Sequence, residues 1–209
     1  MSDIQVKLFK RAEELFFRLG IRNLTMDDVA RELGISKKTL YQHVENKEDL
    51  VKKVVMVGID EDRSAHCSVI ETAKDALDEM LGVAAHIIHQ VRQVKPNLMF
   101  ELQRHYPEAW ALMDDFHTQN VKIWAKNNIE RGIREGLYKP EVNPEIVASL
   151  YVATSANILN ERFFPHGKFA FEEVIRQFMT HYLFGICSLK GSKLLTKRLE
   201  NGALKSLSN

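Results

Sequence analysis

Apolar residues recur at helical spacing through most of the chain, and strand-like alternation stands out nowhere. The first stripe, Ile4, Leu8, Ala12, Leu15, Phe16 and Leu19, predicts a helix over about residues 3–19. Shorter periods follow in quick succession. Val29, Ala30 and Leu33 share a helical face that begins at Thr25, whose hydroxyl can accept an orphan N–H, with Asp28 completing the cap. Gly34 ends that helix where a left-handed backbone is wanted. Ser36 caps the next, which turns Leu40, Val44 and part of Tyr41 inward and is expected to run to Val44. Asn46 and Asp49 cap a further helix, expected to continue to about Asp60.

Past that point "EDRSAHCS" reads as a loosening between domains. Residues 69–94 predict one long amphipathic helix stopped by Lys95-Pro96, and a shorter piece follows, ending at Pro107. A second long helix over 108–135 closes at Gly136. Two richly apolar helices follow, one entered at Pro140 and Pro144 and one after Gly167. The basic stretch 191–209 predicts a frayed or disordered end. No internal repeat is visible, so the pattern as a whole predicts an all-α fold. Its expected domains are 1–50, joined through a helix of about 46–60 to 61–190, with 191–209 as a tail.

A short helix, a turn containing Gly and a second short helix form a helix-turn-helix, and the small Ala30 lets the two helices approach closely. An ordinary helix pair within a helical core satisfies the same packing pattern. The outward face of the second helix argues for more than packing. Lys37, Lys38, Thr39, Gln42 and His43 are left pointing away from the core, and no acid lies between Ser36 and Val44. Such side chains donate hydrogen bonds to base edges and phosphates in a major groove.

Composition changes this picture little. With 209 residues, 45% of them hydrophobic, the chain can bury a real core, and only 10 Gly and 5 Pro interrupt it. No apolar run approaches the roughly 18 residues of a membrane span, and charges break up the N-terminal stretch where a signal peptide would lie. A cytoplasmic protein without membrane contact is expected, with Cys67 and Cys187 as ordinary thiols. The net charge of +1 does not mark a nucleic-acid binder, and the nine Lys and Arg of residues 1–50 are balanced by nine acids. DNA binding therefore depends on where the cations are placed.

The run "TMDDVARELGISKKTLYQHVENKEDLV", preceded by "AEELFFRLGIRNL", resembles the N-terminal domain of TetR-type transcriptional regulators over about residues 5–55. The segment Thr39–Lys47, "TLYQHVENK", is a specific part of that resemblance. The resemblance implies that Lys37, Lys38, Thr39 and Gln42 face base edges, behind the Ser36 cap. It places Tyr41, His43, Lys47 and Thr25 at phosphates. Lys47 also lies at a helix N-terminus, where free N–H groups favour an anion. Asp27 departs from the family pattern, standing where a basic residue would help. It can serve the helix dipole or accept from a cytosine amino group.

The resemblance further implies a bacterial homodimer on a double-stranded, palindromic DNA operator that is released, in a repressor, by an unidentified small-molecule effector. Val147, Leu150, Ile158, Phe171, Val174, Phe178 and Tyr182 on the last two long helices are the candidates for a two-fold four-helix interface, or else form the monomer core. Met80, Phe100, Trp110, Phe116, Trp124 and Tyr151 are candidates to line an effector pocket. His86/His89 and Glu101/His105 have spacings that can supply metal ligands on one helix face, but nothing brings the pairs together, and no metal or other cofactor is expected. An enzyme is not expected either. The chain has no nucleophile elbow, HExxH or phosphate-binding Gly loop. A regulator controlled by a protein partner stays open as an alternative.

Overall fold

The computed structural model describes residues 1–92, 98–158, 160, 162–165 and 167–204. Among these residues the architecture is all-α. The helices are α1 (Asp3–Leu19), α2 (Met26–Leu33), α3 (Lys37–Tyr41), α4 (Lys47–Thr72), α5 (Ala76–Val91), α6 (Leu98–His105), α7 (Pro107–Phe116), α8 (Lys122–Arg134), α9 (Pro144–Ser155), α10 (Phe171–Ile186) and α11 (Leu189–Glu200). A π-helical turn, His117–Val121, joins α7 to α8.

The chain forms two compact units that do not follow chain order. The first contains residues 1–64 and, among the described residues, 98–116, so it extends beyond the expected 1–50. The reason is burial. Leu98, Leu102, Tyr106 and Ala109 of the α6–α7 segment share a core with Phe9, Ala12, Leu15 and Phe16 of α1 and with Val29, Ala30, Leu33, Leu40 and Leu50. The register of α1 also differs from the predicted stripe. Ile4 is 73% exposed, whereas Phe9, absent from the stripe, is fully buried.

The same unit holds a carboxyl in an unfavourable place. Burial pushes Glu13 up to about 7, and the nearby charges of Glu61 and Asp62 push in the same direction. A carboxyl whose pKa is raised by folding stabilises the fold below its unfolded pKa and loses that contribution as pH rises through the folded value. Glu13→Gln is therefore expected to flatten the decline in melting temperature between about pH 4.5 and 7 and to raise it at pH 8. Thermal unfolding across pH checks this.

The second unit contains residues 65–92 and 117 onward. Leu77, Ile129, Met179, Leu183 and Leu195 are buried at its centre. The buried Asn128 donates from Nδ2 to the Ala76 carbonyl at 2.9 Å, and its Oδ1 accepts from the Tyr138 hydroxyl at 3.1 Å. Gly132 is required here, because a Cβ would run into the Tyr138 ring.

Several helix ends differ from the sequence expectation. The "EDRSAHCS" stretch continues α4 to Thr72, since it is polar but contains neither Gly nor Pro. The break comes instead at Asp75, whose carboxylate accepts the Asp78 N–H at 2.9 Å and starts α5, so the expected helix 69–94 is divided. Pro107 opens α7 rather than ending α6. The expected helix over 108–135 is interrupted by the π turn. The predicted Lys95-Pro96 stop lies outside the described residues.

The largest correction concerns the basic tail. Ser188 caps α11 by accepting the Gly191 N–H at 3.1 Å, Leu195 is fully buried, and Arg198 grips Asp75 through two bonds of 2.6 and 2.5 Å. Hydrophobic residues four apart in "KLLTKRLE" signal that packing, and the Lys content hides it. Residues 205–209 lie outside the described part.

Candidate nucleic-acid interface

The reading head is assembled from caps. Thr25 Oγ1 accepts the Asp28 N–H at 3.1 Å, while the Asp28 carboxylate accepts the Thr25 N–H at 3.0 Å and its hydroxyl at 2.6 Å. These bonds, aided by Arg31 at 2.6 Å, hold the Asp28 carboxyl below the usual carboxylate range. Gly34, at φ +70°, makes the tight turn, and its N–H bonds back to the Ala30 and Arg31 carbonyls. Ser36 Oγ then accepts the Thr39 N–H at 3.0 Å and lies 2.7 Å from the Thr39 hydroxyl.

α3 is shorter than predicted. Regular α-helix ends at Tyr41, because the His43 and Val44 N–H groups both turn back to the Leu40 carbonyl, at 3.0 and 3.2 Å. Leu40 and Val44 are buried beneath it, as their spacing predicts. Lys37, Lys38, Tyr41 and Gln42 are exposed, while Thr39 and His43 are half-buried. Of the donors that the sequence groups together, Lys37, Lys38 and Gln42 are thus the exposed ones, on α3 and at its C-terminal end.

Three of the residues that the resemblance implies at DNA also hold partners within the protein. The Thr25 hydroxyl is engaged in its capping box. Lys47 is half-buried and points its Nζ at the Arg22 carbonyl, 3.4 Å away, and burial lowers its pKa. Lys37 Nζ lies 2.7 Å from Asp27 Oδ1, with both side chains exposed. Hydrogen bonding to Asp27, with its charge, raises the Lys37 pKa.

The acid of α2 therefore sits across from the first cation of α3 and pairs with its ammonium. Asp27→Asn is expected to strengthen binding to random DNA and to steepen its salt dependence by about one counterion per head. Titration of fluorescent DNA at several salt concentrations checks this.

The candidate pocket residues are split between the units. Phe100, Trp110 and Phe116 belong to the first, and Met80, Trp124 and Tyr151 to the second. Phe100 is half exposed on α6 beneath Arg104, whose guanidinium carbon lies 5.7 Å from the ring centre. Trp110 packs against the core of the reading head. In the second unit Met80 and Tyr151 are buried, and Trp124 stacks on His66 at 3.9 Å.

Nothing in the sequence pattern marks His66 as a site residue. Its Nε2 is buried with no hydrogen-bond partner among the described residues, as is the Tyr182 hydroxyl. Burial, with the nearby His86, lowers the His66 pKa to about 4. No three His, Cys, Asp or Glu side chains among the described residues are placed to share a metal ion.

The dimer candidates divide similarly. Ile158 and Val174 are buried in the second unit's own core, and Val147, Phe178 and Tyr182 pack against that core. Phe171 is half-buried. Leu150 alone of the set is exposed, at 60%; Ile146 on α9 and Phe184 on α10, which the set omits, are exposed as well. Among the described residues, no helix is long and apolar enough to cross a membrane.

Residues 8–54 match the family model of bacterial regulatory proteins, tetR family. The HTH-type transcriptional repressor KstR2 of Mycolicibacterium smegmatis is 23% identical over 195 residues, covering 90% of this chain and 92% of that protein. The HTH-type transcriptional regulator YfiR of Bacillus subtilis is 32% identical over 171 residues, covering 78% and 82%. Among solved structures, a transcriptional regulator from Cytophaga hutchinsonii shares the fold with a TM-score of 0.74 at 17% identity, over 90% of this chain and all of that one. The head that the caps build and the relatives that span both units agree: the chain belongs to the tetR family of bacterial regulatory proteins, and is a DNA-binding transcriptional regulator rather than an enzyme.

Proposed function

We propose that the protein is a homodimeric repressor in the bacterial cytoplasm that holds a palindromic operator through α3 and releases it when a small molecule occupies the second unit. The observation that carries this reading is the face of α3. Lys37 and Lys38 stand exposed on a helix whose inner side is fixed by Leu40, with Gln42 exposed at its C-terminal cap and no acid on the helix itself. Lys38 and Gln42 read base edges, and Tyr41 and His43 hold phosphates beside them. That KstR2 is a transcriptional repressor supports the sign of regulation.

Dimerisation is supported by the apolar side chains that the second unit leaves outward. Ile146 and Leu150 lie one turn apart on α9, at 59% and 60% exposure, with Phe184 exposed on α10. A two-fold pairing of these helices would bury them and supply the two heads that half-sites about 34–36 Å apart, one turn of DNA, require. For the effector, His66 Nε2 and the Tyr182 hydroxyl, without a hydrogen-bond partner among the described residues, are buried polar atoms of the kind that a ligand satisfies. Trp124 supplies an aromatic wall beside His66.

Leu150→Glu tests the assembly. It is expected to convert a dimer into a monomer at micromolar concentration and to lower operator affinity roughly a hundredfold or more by removing the second half-site. Sedimentation and operator titration on the same samples check it. A Leu150→Glu variant that stays dimeric places the interface elsewhere.

A further inference from the structure

The turn between α1 and α2 carries a carboxylate that the regulator's DNA contacts leave unexplained. Glu101 of α6 directs one oxygen, Oε2, at two successive backbone donors, the N–H groups of Ile21 at 2.9 Å and Arg22 at 3.0 Å. Gly20 takes φ +82° immediately before them, and a Cβ there would approach both Glu101 oxygens at 3.5 Å. Successive N–H groups converging on one oxygen after a positive-φ residue form an anion nest. Here the anion is supplied from a helix 80 residues away in sequence. Lys47 at the start of α4 points its Nζ at the Arg22 carbonyl, 3.4 Å away, and lies within reach of the Glu101 charge.

The turn is thus held through its N–H groups by α6 and through its carbonyl by α4. It leads through Leu24, which is buried, directly to the Thr25 cap that starts α2. Leu98 and Leu102 bury the same helix, α6, in the core of the head. Apolar packing fixes distance but tolerates sliding, whereas two charge-assisted bonds to adjacent amides fix register.

We propose that Glu101 is a positioning residue for operator recognition. It fixes the α1–α2 turn, and with it the pose of α2 and α3, through its two bonds to the backbone of the turn. This inference rests on the DNA-binding reading of α3. Its consequence is selective. Recognition of specific bases depends on the pose of α3, and attraction to phosphates depends much less on it.

The test compares wild type, Glu101→Gln and Glu101→Ala in the full chain. Each is titrated with operator DNA and with random DNA, and amide exchange is followed at Ile21 and Arg22. Glu101→Ala is expected to speed exchange at those two amides at least tenfold while Val29 and Leu40 stay protected. Its operator affinity should fall about tenfold or more, with random-DNA affinity within twofold of wild type. Glu101→Gln keeps an acceptor but no charge, and should fall between the two. If Glu101→Ala does not fold, Glu101→Gln is decisive on its own, through its ratio of operator to random-DNA affinity. A ratio equal to wild type in the folded variants overturns the proposal. A wild type that does not distinguish operator from random DNA instead overturns the reading of α3 beneath it.

Discussion

Leu40→Ala is expected to unfold the reading head at physiological temperature or leave it barely stable, and to abolish operator binding. Leu40 is fully buried and is the only buried side chain of the five-residue α3. A helix that short has no stability of its own, so tertiary packing alone keeps it in place. Truncating such a leucine removes its transfer energy and leaves a cavity, costing about 2–5 kcal/mol. That is a large part of the roughly 5–15 kcal/mol that typically stabilises a folded domain. Leu40→Met, which conserves volume, should cost under about 1.5 kcal/mol and keep operator binding. Thermal unfolding of both variants, beside operator titration, distinguishes packing from chemistry.

The second large effect is expected at Lys38. It is exposed on the sorted face, whereas its neighbour Lys37 is drawn toward Asp27. Lys38→Ala should lower operator affinity about 10- to 100-fold and relax the sequence requirement at one base position in each half-site. Its melting temperature should match wild type, because an exposed side chain contributes little to the core. Lys37→Ala should lose less, since part of that ammonium's interaction is already with protein. Reversal of this order assigns the base contact to Lys37 and makes Asp27 its positioner.

Both effects fall in the part of the molecule that is most legible in the amino-acid sequence. Thr25, Gly34, Ser36 and Asn46 are local devices, each satisfying a backbone group within four residues, so their roles follow from spacing alone. The existence of α1 to α4 is equally readable from apolar period. What stays hidden depends on contacts distant in sequence. Lys47 reads as a phosphate contact from its position at a helix start, yet Arg22, 25 residues earlier, draws its ammonium inward. Glu101 reads as half of a metal-ligand spacing, and its partners are backbone amides that no side-chain pattern advertises.

The second unit is less legible for the same reason. Ile158 and Val174 carry the same apolar signal whether they face a neighbouring helix or a second copy of the chain, and burial within one chain resolves them. Polarity misleads in the opposite direction at residues 61–68 and in α11. Solvent-facing charges there accompany a continuous helix and a packed helix, not a break and a frayed end.

The measurement that bears most directly on the central claim is binding of the purified protein to DNA upstream of its own gene, titrated across salt concentrations and read by footprinting. Protection of one discrete palindrome by two protomers is expected, with affinity falling steeply as salt rises and with loss of that protection in Lys38→Ala. Weak binding that is indifferent to sequence and shared equally by Lys38→Ala would contradict that claim.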